Sequence, residues 1–251
     1  VAKRSQNSAA LGSGSLVDQT AARLRAAIFD GSYPPGSSLR ELRIAKEFGV
    51  SQATVREALQ RLQAKGLVTR QANIGTTVTR LTPQEVRERV QLRVMLEVQA
   101  AGLATGRMTE AEYKELGHRL QALSSAVAGD DYYEAVQADL EFHRYIWRCS
   151  GNSTLAMVLD QLTVPLMAFV SMMRASGLEH LADVTAAHEP LVAALRSGRQ
   201  DEIEQAFTKG ATSFYEEFME STPTSRRATA FGMMAPVPRR ATESAAGPAG
   251  S

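Results

Sequence analysis

Apolar residues recur at three- and four-residue steps near the start of the chain. Val17, Ala21, Leu24 and Ile28 form one stripe, which predicts a helix from Ser15 that Gly31 stops. Pro34-Pro35-Gly36 makes a rigid turn. A second stripe of Leu39, Leu42, Ala45 and Phe48 predicts a short helix ending at Gly49. Ser51 is a good N-cap for a third helix, with Val55, Ala58, Leu59 and Leu62 inward and Gly66 at its end. Leu67 to Arg70 and Thr76 to Thr79 are rich in β-branched residues and flank a turn containing Gly75, which predicts a short hairpin.

Leu81-Thr82-Pro83 reads as a linker, with Thr82 capping a helix that begins at Pro83. No strand pattern follows. Helices are expected over 83–105, 109–128, 131–149, 153–174, 179–197 and 200–220, punctuated by glycines. The fold class is therefore mostly α: a three-helix unit with a small β-hairpin over 15–80, a linker over 81–83, and an all-α antiparallel bundle over 84–221. A flexible arm is expected over 1–14 and a disordered tail, rich in Pro, Ala, Ser and Gly, over 222–251.

Composition changes this picture in two ways. The formal net charge of +1 hides a segregation: residues 16–80 hold ten Lys or Arg against five Asp or Glu, whereas 84–220 hold twelve against twenty-one. The first unit suits a polyanion and the bundle does not. The single cysteine, Cys149, excludes an intrachain disulfide and a cysteine-rich zinc site, and it suits a reducing cytoplasm. No apolar run reaches the roughly 20 residues that cross a bilayer, and Lys3 and Arg4 are not followed by an apolar stretch. A cytoplasmic protein with no membrane association is expected.

Three short helices and a hairpin, with a tight Gly49-Val50-Ser51 connection, describe a winged helix-turn-helix. In that geometry the third helix enters the major groove with its leading turn against the base edges. Ser51, Gln52, Thr54 and Arg56 then face outward, Arg40 at the start of the second helix clamps a phosphate, and Gln71 to Gly75 form the wing tip beside Arg70. Periodicity alone equally allows a small core whose arginines only solvate it. The residues decide. Pro35-Gly36, Leu39-Arg40-Glu41, Ala45, Phe48-Gly49-Val50-Ser51, Val55-Arg56-Glu57-Ala58-Leu59 and Gly66-Leu67-Val68 together resemble the GntR family of bacterial transcription regulators. The resemblance assigns DNA contacts to Arg40, Ser51, Gln52, Thr54, Arg56, Arg70, Gln71, Asn73 and Gly75. Gln52 stands where many relatives have arginine, a change that alters which operator is read.

The second half resembles the FCD effector domain of the FadR subfamily, through Arg93 with Leu96-Glu97, Asp139 to His143, Ser150-Gly151-Asn152, and His188 with Leu191. Asp139 and His143 are four apart, so they project from one helix face into the same space. Two chemistries fit that spacing: a hydrogen-bonded core pair, or two ligands of a divalent metal with His188 as a third. The resemblance implies one aspartate and three histidines around Zn²⁺, Ni²⁺ or Mn²⁺, but the last histidine is missing and its expected place falls near Gly210. Arg93 and Arg174 are candidates to face the carboxylate of a small organic-acid effector. His118 and His180 match nothing, and Phe142, Tyr145 and Trp147 read as core.

The expected protein is thus a homodimeric, ligand-responsive regulator, more often a repressor in this subfamily, bound to a near-palindromic double-stranded operator. A metal-free sensor is one alternative. A metal-dependent enzyme is another, disfavoured because no general base or nucleophile accompanies Asp139, His143 and His188. No enzymatic activity is expected.

Overall fold

A computed structural model describes residues 14–71, 75–129, 132–175 and 184–220. The arm (but for Gly14) and the tail at 222–251 lie outside them, as do Asn73, His180 and the Arg174 side chain. Helix α1 (Leu16–Phe29) starts at a capping box in which Ser15 and Asp18 satisfy each other's backbone N–H groups. Helix α2 (Glu41–Phe48) ends at Gly49, whose φ of 69° is the left-handed conformation that turns the chain toward α3 (Gln52–Ala64). Ser51 caps α3 through the Thr54 N–H, as its sequence position predicts. Strands β1 (Val68–Gln71) and β2 (Gly75–Val78) pair antiparallel, with Val68 opposite Val78.

The α2 stripe differs from the sequence expectation. Leu39 is not helical: it precedes α2, is buried, and donates its N–H to the Thr76 carbonyl, while Ser38 forms a bridge to Thr77. Leu42 points outward at 71% exposure, and Ile44 fills the core position instead. Leu39 served the wing rather than the helix, so a stripe counted from it ran along the wrong face.

Six helices follow among the described residues: α4 (Pro83–Thr105), α5 (Glu110–Ala128), α6 (Tyr132–Cys149), α7 (Ser153–Ala175), α8 (Val184–Ser197) and α9 (Gln200–Glu220). Thr82 and Glu85 form a capping box with Pro83 at the first helical position. Helix α4 packs against α6, α7, α8 and α9, and so runs through the middle of the bundle. Helix α7 buries Val164, Leu166, Met167, Ala168, Phe169 and Met172.

The linker is not a loose tether. Leu81 is buried, and the core of the three-helix unit continues without a break into α4, α6 and α7. Leu24, Ile28 and Phe29 share that core with Leu159, Val164 and Met172, and Phe29 meets Tyr133 edge-on at 5.9 Å. A second core, around Phe142, Ile146, Leu195 and Phe207, closes the far side of the bundle.

Candidate functional site

Among the described residues, the leading turn of α3 and a cavity inside the bundle bring together the side chains singled out in the sequence. Arg40 is the N-cap of α2 and is exposed, with no side-chain capping bond of its own. Ser51 and Arg56 are exposed, and the Ser51 and Thr54 hydroxyls lie 2.8 Å apart. Gln52 and Arg56 are not loose. Both reach back one helix to Glu41, whose carboxylate accepts from Gln52 Nε2 at 3.0 Å and from Arg56 Nε and a terminal guanidinium nitrogen at 3.2 and 3.0 Å. The Arg56 hydrogen bonds hold the Glu41 carboxyl below its ordinary pKa. Arg70, Gln71 and Gly75 are exposed on the hairpin, away from its core side.

In the bundle, α6 delivers Asp139 and His143 to one face, and α8 brings His188 across to them. His188 Nε2 lies 2.7 Å from Asp139 Oδ1 and 3.2 Å from His143 Nε2, and His143 Nε2 lies 3.4 Å from Asp139 Oδ1. Both histidines are buried, and Asp139 is nearly so. Donors bound at about 2.1 Å to a divalent ion sit roughly 3.0–3.4 Å from one another. The triangle therefore has close to the size and donor set of half a coordination sphere.

Glu97 is the residue that sequence reasoning missed. It stands on α4 beneath His143, fully buried, with Oε1 3.0 Å from His143 Nδ1 and 3.2 Å from the Trp147 indole nitrogen. The His143 contact is off the line of a good hydrogen bond, so its attraction is more ionic than directional. Arg93, one turn earlier, pairs with Glu97 at 3.2 Å. The available signal was the Arg93–Glu97 spacing of four residues, which reads equally well as a surface ion pair.

The electrostatics favour positive charge at this point. Burial opposes ionisation of Glu97, yet the Arg93 and His143 charges hold it at about 2. Burial likewise opposes the Asp139 carboxylate, and the two histidines outweigh it, placing Asp139 well below its usual range. His143, desolvated but facing Glu97 and Asp139, is raised to about 9. Arg93, Glu97, Leu191, Phe207, Gly210 and Ala211 join the triad around a cavity of about 50 Å³. Gly210 thus does stand at the cavity wall, where the missing histidine was expected.

His118 is exposed beside Glu115, Phe142 and Trp147 are core, and Tyr145 is partly buried against Arg119. No helix among the described residues is long and apolar enough to cross a membrane.

A winged three-helix unit fused to a helical domain is the architecture of a DNA-binding transcription regulator. Residues 16–78 match the model of the gntR family of bacterial regulatory proteins and residues 88–209 match the FCD domain, so the chain belongs to the GntR family, in its FCD-containing branch. A probable D-xylose utilization operon transcriptional repressor of Paenarthrobacter nicotinovorans is 31% identical over 74% of this chain and 81% of its own length. The gluconate operon transcriptional repressor of Bacillus subtilis strain 168 is 29% identical over 66% of this chain and 69% of its own. Among solved structures, Escherichia coli McbR/YncC shares the fold at a TM-score of 0.71 and 22% identity, covering 83% of this chain and 99% of that one. The protein is a DNA-binding transcription regulator and not an enzyme.

Proposed function

We propose that the chain is a cytoplasmic, homodimeric repressor whose hold on its operator responds to a small carboxylate-bearing metabolite bound in the bundle cavity, beside a divalent metal held by Asp139, His143 and His188. The observation that carries this reading is the convergence of those three donors on one point, with the Glu97 carboxylate 3.0 Å behind His143 to raise the basicity of a metal-bound imidazole. The metal would offer open positions to a carboxylate. Arg93 lines the same cavity and would supply a second, cationic contact.

The cavity is small against the roughly 300–1,000 Å³ typical of metabolite sites. An effector must therefore widen it by displacing α8 or α9, which carry His188, Leu191, Phe207 and Gly210. That requirement gives the ligand different affinities for two bundle arrangements, without which it could not alter DNA binding. Two relatives are named as operon repressors, which favours repression as the sign.

Dimerisation is supported by α4, where Leu92 and Met95 are 51% and 68% exposed and Leu103 lies eleven residues beyond Leu92 on the same face. A second copy covering that stripe would give the two-fold symmetry that a near-palindromic operator mirrors. On the heads, Arg40, Ser51, Gln52, Thr54, Arg56, Arg70 and the turn from Gln71 to Gly75 form the reading surface.

The competing reading is a metal-free sensor, favoured by the 2.7 Å His188–Asp139 contact, which is already a good hydrogen bond. Metal content of the full chain, purified without chelator or a nickel column, separates the two. About one Zn²⁺, Ni²⁺ or Mn²⁺ per chain, lost in Asp139→Ala and His188→Ala, is expected. Protein that carries no metal and takes up none on titration would leave only the metal-free sensor.

A further inference from the structure

A second, larger cavity lies where the DNA-reading unit meets the bundle. It is a groove of about 440 Å³, broadly open to solvent. Its walls are Arg25 on α1, Lys65 at the end of α3, Glu141, Arg144, Trp147 and Arg148 on α6, and Ala156 and Asp160 on α7. Four cations face two carboxylates. Asp160 is shared by Lys65 at 2.6 Å and Arg144 Nε at 2.6 Å, and Glu141 is shared by Arg144 at 2.8 Å and, more distantly, Arg119 and Arg148. Arg25 has its Nε buried with no hydrogen-bond partner, and Arg148 is half exposed, 3.9 Å from its carboxylate. The lining is therefore left with two positive charges beyond what its own acids neutralise.

We propose that this junction is a second ligand site, one that takes a phosphate monoester or a comparable compact dianion. Arginine matches phosphate with paired N–H donors, and Arg25 and Arg148, the two cations that the carboxylates of the lining leave over, are the side chains such a group selects. The volume falls within the range of metabolite sites and exceeds what one phosphate needs, leaving room for an organic body beside Ala156 on the open side. Duplex DNA does not explain the cluster. Lys65 lies at the far end of α3 from Ser51, roughly 20 Å along the axis at 1.5 Å per residue.

A dianion here touches α1, α3 and α6 together, so it fastens the reading unit to the bundle. Trp147 connects the two sites: it borders this groove, and its indole nitrogen donates to Glu97, which lines the bundle cavity behind His143. The proposal does not depend on a metal or effector in the bundle cavity.

The test is calorimetric titration of the full chain, stripped of metal on a chelating resin, with inorganic phosphate and separately with a hexose phosphate, ionic strength being matched with chloride. Saturable binding of either is expected, and the tighter of the two identifies free phosphate or ester as the preferred form. Arg25→Gln and Arg148→Gln should each weaken it tenfold or more. His188→Ala should leave it unchanged, which separates this site from the bundle cavity. No heat beyond the chloride control, equal affinity in Arg148→Gln (a half-exposed position that folding tolerates), loss in His188→Ala, or displacement by a short random duplex would each overturn the proposal.

Discussion

Glu41 lies between two of the side chains assigned to DNA, and its role is decided residue by residue. Its carboxylate holds Gln52 and Arg56 in fixed directions before any operator arrives, so the reading surface loses less side-chain entropy on binding. It also places a negative charge near the phosphates. Glu41→Gln should therefore raise affinity for random duplex while lowering the preference for operator, by about tenfold or ~1.4 kcal/mol. Fluorescence anisotropy against both duplexes measures the ratio, and an unchanged ratio would show that Glu41 does not set the direction of these groups. Arg56→Ala should weaken operator binding by about 5- to 150-fold. Gly210 gives a prediction of the opposite sign. A Cβ there would meet only Leu191 at 3.6 Å and the Ala187 carbonyl at 3.8 Å, ordinary contacts. Gly210→His should bring a fourth donor to the cavity and tighten zinc, read by competition with a chromophoric chelator. It should also stabilise the metal-free protein slightly, since glycine inside a helix costs about 1 kcal/mol. At this scale the Asp139–His143 pair was legible from spacing, and His188 from the resemblance. Glu97 was not, because its function depends on burial under a residue 46 positions later.

Among the elements, the turn that ends α3 packs closely on Pro165 in α7. Gly66 follows α3 with φ of +70°, and a Cβ added there would sit 2.8 Å from Pro165 Cγ in the middle of α7. Gly66→Ala thus meets both a left-handed backbone and a clash with a ring that cannot rotate away. It should destabilise the protein by about 1–3 kcal/mol, measured by urea unfolding. Pro165→Ala in the same chain should recover the part due to the clash and leave the backbone part, so the two changes will be non-additive. Helix boundaries were mostly legible, since Ser15, Ser51, Thr82 and Thr109 all cap as their side chains allow. The inward face of α2 was not. Leu39 and Leu42 sit three apart as a helical pair would, but strand pairing of Leu39 with the wing takes it out of the helix, and nothing local in the sequence reports that pairing.

The two halves of the molecule read as separate units in sequence because their charge and periodicity differ, yet they share one apolar core and an ionic tie. Asp160 makes that tie to Lys65 and Arg144. Burial opposes its charge, but the Lys65 hydrogen bond and the Arg144 charge outweigh this and lower its pKa below the ordinary value. A carboxyl depressed on folding contributes stability above its unfolded pKa of about 3.9 and loses it as pH falls through the folded value. The stability difference between the parent and Asp160→Asn should accordingly be constant near neutrality and shrink below pH 4. A difference that persisted in acid would mean that packing, not charge, fixes the joint. The shared core makes a stronger demand. Were the linker only a tether, the reading unit and the bundle would melt separately; with Leu24, Ile28 and Phe29 packed against Leu159, Val164 and Met172, exposing one half strips apolar cover from the other. Calorimetry of the full chain should show a single transition whose van't Hoff and calorimetric enthalpies agree. Leu159→Ala, a truncation on the bundle side, should lower that whole transition by about 2–5 kcal/mol of stability and weaken operator binding with it. Two resolved transitions, with only the bundle's moved by Leu159→Ala, would show that the halves are mechanically independent and that a signal from the cavity must reach DNA by another route.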